Sequence, residues 1–206
     1  VESSASMPTL RTTAALPTFG PAFVHAFLAV PSNWPSIVLS SHSVRGVADG
    51  VPLAVGESVV ETFGAPPLLP LEVEWTCTAS DSECGVLDFA AADGLAGFAR
   101  ACEMRFRTLS DGDGGTDLEL IMAYETVSPI ALAALPALRL DNELALRVLL
   151  PRQLRALRLR GGHASNPTAK LPALLKLRSY AIYQRITIRY LASVSCVGRT
   201  ETLMGC

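Results

Sequence analysis

Leu71-Glu72-Val73-Glu74-Trp75-Thr76-Cys77 alternates without a break. Leu71, Val73, Trp75 and Cys77 fall on one face of an extended strand, and Glu72, Glu74 and Thr76 fall on the other. One face is dry and the other is wet. The same period returns downstream, where Cys102, Met104 and Phe106 oppose Glu103, Arg105 and Arg107. It returns again where Leu118, Leu120, Met122 and Tyr124 share a face opposite Glu119 and Glu125. A sheet built of such strands must cover its apolar side with another part of the chain.

Working outward, strands are expected over 57–63, 69–78, 85–91, 97–109 and 116–127, with a looser one over 36–47. The stretches Gly64-Ala65-Pro66-Pro67, Ser80-Asp81-Ser82-Glu83, Ala92-Asp93-Gly94 and Asp111-Gly112-Asp113-Gly114-Gly115 carry turn residues between them. Connections this short favour antiparallel pairing of neighbours. Ahead of the meander, Pro21 suits a first helical turn, Phe23/Phe27 and Val24/Leu28 recur at i, i+4, and Pro31 ends the run. After Ser128-Pro129 the period changes from two to about 3.6 and continues to Arg160, closing at Gly161-Gly162. Asp141-Asn142-Glu143 reads as a second helix start, and Pro136 and Pro151 are expected to kink or split the helix. The order is strand, helix, long meander, long closing helix.

One helix covers a strip only about 10 Å wide. A curved antiparallel sheet gripping the closing helix solves that geometry, giving an α+β fold, and such a grip leaves an apolar space of the kind small-molecule sites use. Three segments are expected: a flexible 1–9, a helix-grip domain over 10–162, and a basic extension over 163–206.

Composition narrows the classes. Half of the 206 residues are hydrophobic and 17% are charged, yet no run approaches 18 uncharged apolar residues, so no membrane-spanning helix is expected. The chain is read as soluble or peripheral and intracellular. Charge is unevenly spread: through Leu138 there are 5 Lys+Arg and 16 Asp+Glu, and from Arg139 onward 12 and 3. A basic tail on an acidic body can meet an anionic membrane surface, an acidic protein partner or the body itself, and no specific nucleic acid is predicted. Part of the tail, 171–194, alternates as in Ile186-Thr187-Ile188-Arg189-Tyr190 and fits an added strand or a basic surface segment. Cys77, Cys84, Cys102, Cys196 and Cys206 form no C-x-x-C pair, so reduced thiols are the default, with Cys77 and Cys84 placed to face each other across a hairpin. No metal site or cofactor is signalled, because His25, His42 and His163 have no ligand spacing. Leu157-Arg158-Leu159-Arg160-Gly161-Gly162 is a basic helix with a Gly cap, and the Asp111–Gly115 run is a hairpin turn rather than a calcium loop.

With the element order, Asn33-Trp34-Pro35, Ser41-His42-Ser43-Val44, Pro66-Pro67-Leu68-Leu69-Pro70-Leu71 and Glu125-Thr126-Val127-Ser128-Pro129 resemble the START-like helix-grip (SRPBCC) superfamily of polyketide cyclases and lipid-transfer proteins over about 10–160. The resemblance implies a cavity for a sterol, lipid, isoprenoid, quinone, hormone or polyketide, and in a minority of members cyclisation, dehydration or hydrolysis. It does not extend to the tail.

The inward residues expected to line such a cavity are Trp75, Phe89, Met104, Phe106, Met122 and Tyr124. Catalysis has less support than binding: Tyr124 can donate to a carbonyl and His42 lies near the same space, but no partner that would tune either is evident, and strand parity sends most carboxylates outward. The leading reading is a non-catalytic carrier or sensor of a hydrophobic molecule. A cyclase or dehydratase using Tyr124 and His42, and a peripheral interaction subunit anchored by the tail, are the alternatives.

Overall fold

A computed structural model describes residues 9–161, apart from 66–68 and 96. The tail and its expected strand or surface segment lie outside the described residues. The order is β1 (Thr9–Leu16), α1 (Pro21–Leu28), a 3-10 turn (Pro31–Asn33), α2 (Trp34–Ile37), β2 (Ser41–Arg45), β3 (Ser58–Ala65), β4 (Leu69–Asp81), β5 (Val86–Ala91), β6 (Ala99–Ser110) and β7 (Thr116–Thr126). Then come α3 (Pro129–Leu144), a π turn (Ala145–Leu149) and α4 (Leu150–Gly161).

The seven strands form one antiparallel sheet in the order β1-β7-β6-β5-β4-β3-β2, so the first strand returns beside the last. The meander is as expected, and the turn chemistry explains it. In the β4–β5 turn Asp81 accepts the Glu83 and Cys84 N–H groups at 2.9 Å each. Gly85 follows with φ +66, where a Cβ would meet the Thr108 carbonyl oxygen at 2.1 Å. In the β6–β7 turn Asp111 Oδ1 accepts the Asp113 and Gly115 N–H groups at 2.9 and 2.8 Å, so the acidic loop ties its own backbone. Register shifts between Ser41 and Ser43, Cys77 and Ala79, and Arg100 and Glu103 bend β2, β4 and β6. These bends curve the sheet around its apolar face.

The expected strand over 36–47 is corrected at its start. Pro35 occupies the first turn of α2 and Trp34 is buried there, its indole N–H donating to the Leu28 carbonyl at 2.9 Å and its ring meeting Phe89 edge-on at 5.1 Å. Extended pairing begins only at Ser41. The exposed Phe23 likewise leaves α1's buried face to Val24, His25, Phe27 and Leu28. Cys77 is buried, Cys84 is exposed, and both are free thiols.

The closing helix is divided as Pro151 requires, while Pro136 sits inside α3. Pro151 has no N–H for the Arg147 carbonyl, and the backbone widens just ahead of it, Leu150 N–H reaching back to Ala145. Leu146, Leu150 and Leu154 nevertheless form one fully buried stripe. Each contributes roughly 1.5–3 kcal/mol of burial. The Asp141-Asn142-Glu143 start is overturned: it lies within α3, and Asp141 is buried among groups far away in sequence. α3 packs on β1 and β7, α1 on β6 and β7, and α4 on α2. Arg147 also donates to the Thr13 carbonyl on the β1 edge at 3.0 Å.

Candidate functional site

All six expected liners lie on the inner face of β4–β7, and the register arranges them in rows. Phe89 opposes Met104, Met104 opposes Met122, and Met122 opposes Leu10 of β1. One row toward the β6–β7 turn, Leu87, Phe106 and Leu120 stand side by side. That second row is buried, and α1 packs over this side of the sheet. The Met104–Met122 row differs. Both methionines, together with Leu10 beside them and Leu135 and Leu138 of α3, stay partly exposed, although Trp75, Phe89, Phe106 and Tyr124 are buried. Asn142 of α3 reaches the sulfur of Met122 at 3.3 Å, fixing the helix over this band.

Tyr124 lies at the end of the band. Opposite it, the β6 bulge holds Ala101 at φ +49, a strained conformation for a residue with a Cβ, and Cys102 falls beside the ring. Burial pushes the Tyr124 hydroxyl up, with Cys102 adding to it, and pushes the Cys102 thiol up to about 11. Near neutrality both keep their protons, so Tyr124 can serve as a neutral hydrogen-bond donor. His42 is elsewhere: on β2, with β3 to β6 between it and β7, its Nε2 3.1 Å from the Gly64 carbonyl. The sheet therefore places Tyr124 and His42 on strands that are not neighbours.

Two buried acids complete the inner face. Glu61 points inward from β3 beside Val73 and accepts the Trp75 indole N–H on Oε2 at 2.9 Å. Asp141 of α3 accepts the Leu39 N–H on Oδ1 at 2.9 Å and the Ser40 N–H on Oδ2 at 3.2 Å, and the Ser40 hydroxyl also donates to Oδ2. Burial raises both carboxyls above the ordinary range. Asp141 is eased back by its three donors and by the nearby His42, whereas Asp141 pushes Glu61 further up. Each carboxyl thus favours its protonated form more than a carboxyl in water does, Glu61 through burial and the neighbouring Asp141, and Asp141 through burial. The sequence reading missed both acids. For Glu61 the signal was present, since Val59, Glu61 and Phe63 share one strand parity.

A groove of about 600 Å³ lies apart from this face, against β1, β7 and the π turn, with Arg11, Asp117, Glu119 and Arg147 among its walls. Along these walls Arg11 pairs with Glu119 and Arg147 with Glu143, beside the apolar Ala15 and Leu109.

Neither a family model nor a curated protein matches the chain by sequence. Its structure is similar to the Zhui aromatase/cyclase from Streptomyces sp. R1128, with a TM-score of 0.61 and 13% identity over 77% of this chain and 99% of that one. It is similar to a Thalictrum norcoclaurine synthase point mutant bound to a transition-state analogue, with a TM-score of 0.55 and 12% identity over 76% and 99%. It is also similar to a START superfamily protein from Mycobacterium smegmatis, with a TM-score of 0.50 and 12% identity over 66% and 94%. The chain has the START-like helix-grip fold.

Proposed function

We propose that the protein binds a hydrophobic small molecule, of lipid, isoprenoid, quinone or polyketide type, between the inner sheet face and α3, as a carrier or sensor. The observation that carries this reading is the band of Met104, Met122, Leu135 and Leu138, apolar side chains that stay partly exposed beside a fully buried row. Leaving such surface partly exposed gives up about 25 cal/mol per Å², which an apolar ligand would recover. The fold supports the reading, because a sheet wrapped on a helix leaves concave apolar space. Methionine suits a wall of this kind, being unbranched and able to adjust to the molecule it meets.

A second reading, a cyclase or dehydratase, is favoured by Glu61 and Tyr124, two inward groups whose burial favours the protonated form and which can polarise a carbonyl. The basic tail supports, on charge alone, contact with an anionic membrane or an acidic partner. Native mass spectrometry of the purified chain, followed by organic extraction, tests the binding reading. A stoichiometric apolar molecule that leaves with the extract is expected. A chain that carries nothing and takes up no member of a broad apolar library would overturn it.

A further inference from the structure

We infer that the groove of about 600 Å³ against β1 and β7 is a docking site for the chain's own basic extension, 163–206. The groove lies on the outer face of the sheet. Ala15, Asp117 and Leu109 stand there in one register row, opposite in parity to the buried Ala14, Leu118 and Thr108. The extension begins at the end of this row. α4 closes at Gly161, and three residues earlier Arg158 donates to the Thr18 carbonyl at 2.9 Å. Thr18 follows Leu16, the last residue of β1, which pairs with Thr116 beside Asp117. Lys170 lies nine residues past Gly161 and can span about 30 Å from it, whereas the stretch from Arg11 to Ala15 is only about 17 Å long.

The walls fit a segment of that chemistry. Arg11 and Arg147 are already matched by Glu119 and Glu143, so they leave no net positive charge to repel it. Asp117 is exposed and has no ion pair among the described residues, whereas Glu72, Asp88, Glu103 and Glu125 on the same face each hold an arginine. Beside Asp117, Leu109 is 56% exposed. An unmatched carboxylate next to an open leucine suits a segment that presents basic and apolar side chains close together. The extension is such a segment: it has six Lys+Arg against one Glu, and apolar and basic residues mix in Ile186-Thr187-Ile188-Arg189-Tyr190. The described residues carry the opposite balance, 11 Arg against 17 Asp+Glu. Attachment to the domain gives the extension an effective concentration of about millimolar at the groove, which favours it over a free partner.

Lys170 and Lys176 are the chain's two lysines, so a water-soluble carbodiimide, which joins amines to carboxyls at zero length, reports where the extension lies. Peptide mass spectrometry of the monomeric full chain is expected to find either lysine joined to Asp117, or to Asp111 or Asp113 of the adjoining turn. Joining to distant acids such as Glu74 or Asp93 overturns the inference. Joining found only in a dimeric fraction also overturns it, and gives the groove to a second copy. The double variant Leu109→Ser/Asp117→Asn removes the apolar and the acidic contact from the groove, and both side chains are exposed, so the domain keeps its fold. Trypsin should cleave after Arg185 and Arg189 about fivefold faster in this variant than in the unaltered chain, the weight of one exposed ion pair. Equal rates overturn the inference, as does a segment protected only when phosphatidylserine vesicles are added.

Discussion

Replacing Asp141 by leucine sets two large effects against each other. Leucine is similar in size and apolar, so the substitution relieves the cost of a buried charge. It also strips the acceptor from Leu39 N–H, Ser40 N–H and the Ser40 hydroxyl. Leu39 is only partly covered and recovers water, but Ser40 is 7% exposed and does not. Its two orphaned donors cost roughly 1–3 kcal/mol each, and the relieved charge burial returns part of that. A net loss of about 2–4 kcal/mol is expected, or about 5–15 °C in Tm for a domain of this size. Asp141→Asn keeps one acceptor oxygen and should fall between the leucine variant and the unaltered chain. Urea unfolding followed by tryptophan fluorescence is the assay, since Trp34 and Trp75 are both buried. The midpoint should drop with an unchanged slope. A leucine variant as stable as the parent, or more so, would refute the reasoning: charge burial would then outweigh the hydrogen bonds, and the acid would persist for a reason other than holding α3 to the segment before β2.

Two further outcomes follow from the same geometry. Glu61→Gln should stabilise the protein increasingly as pH rises. Below the ordinary carboxyl value of 4.5 the acid is protonated whether folded or unfolded, above it the unfolded chain ionises first, and stability falls until the raised folded value is passed. The variant lacks that slope, so melting curves from pH 4 to 8 should diverge, and parallel curves would show that Glu61 is charged in the fold. Phe89→Ala, at a fully buried ring against Trp34, should cost about 3–5 kcal/mol, whereas Met104→Ala should cost about 1–2 kcal/mol and weaken apolar-probe binding severalfold. Chemical denaturation and probe titration of both variants separate core from ligand wall, and equal stability losses would dissolve the distinction.

The sheet was legible because its signal is local. A period of two with turn residues between the runs requires only neighbours in the chain, and the strands over 69–78 and 116–127 emerge within a few residues of where they are expected. α2 was obscured because Pro35 suits both a turn and a helix start, and the burial of Trp34 against Phe89 decides between them. Glu61 was readable by parity with Val59 and Phe63, but a carboxyl defaults to the wet side unless a donor such as the Trp75 indole is known to await it. Asp141 carries the signature of a helix start, and its partners Leu39 and Ser40 lie about a hundred residues away, beyond any local pattern. The split between a dry row and a half-open one depends on where α3 settles. No property of Met104 or Met122 alone distinguishes them from Phe106.

Among the described residues the strand order leaves β1 and β2 as the two margins of the sheet, and each carries a feature that hinders a foreign strand. β2 is five residues long and its pairing is broken between Ser41 and Ser43, so an incoming backbone finds no even ladder to extend. β1 is longer, but the Arg147 guanidinium already holds the Thr13 carbonyl that a newcomer would need. A half-open apolar interior invites sticking between copies. Blunted margins keep that hazard from spreading into the backbone, since neither offers an even row of free groups for a second strand to pair with.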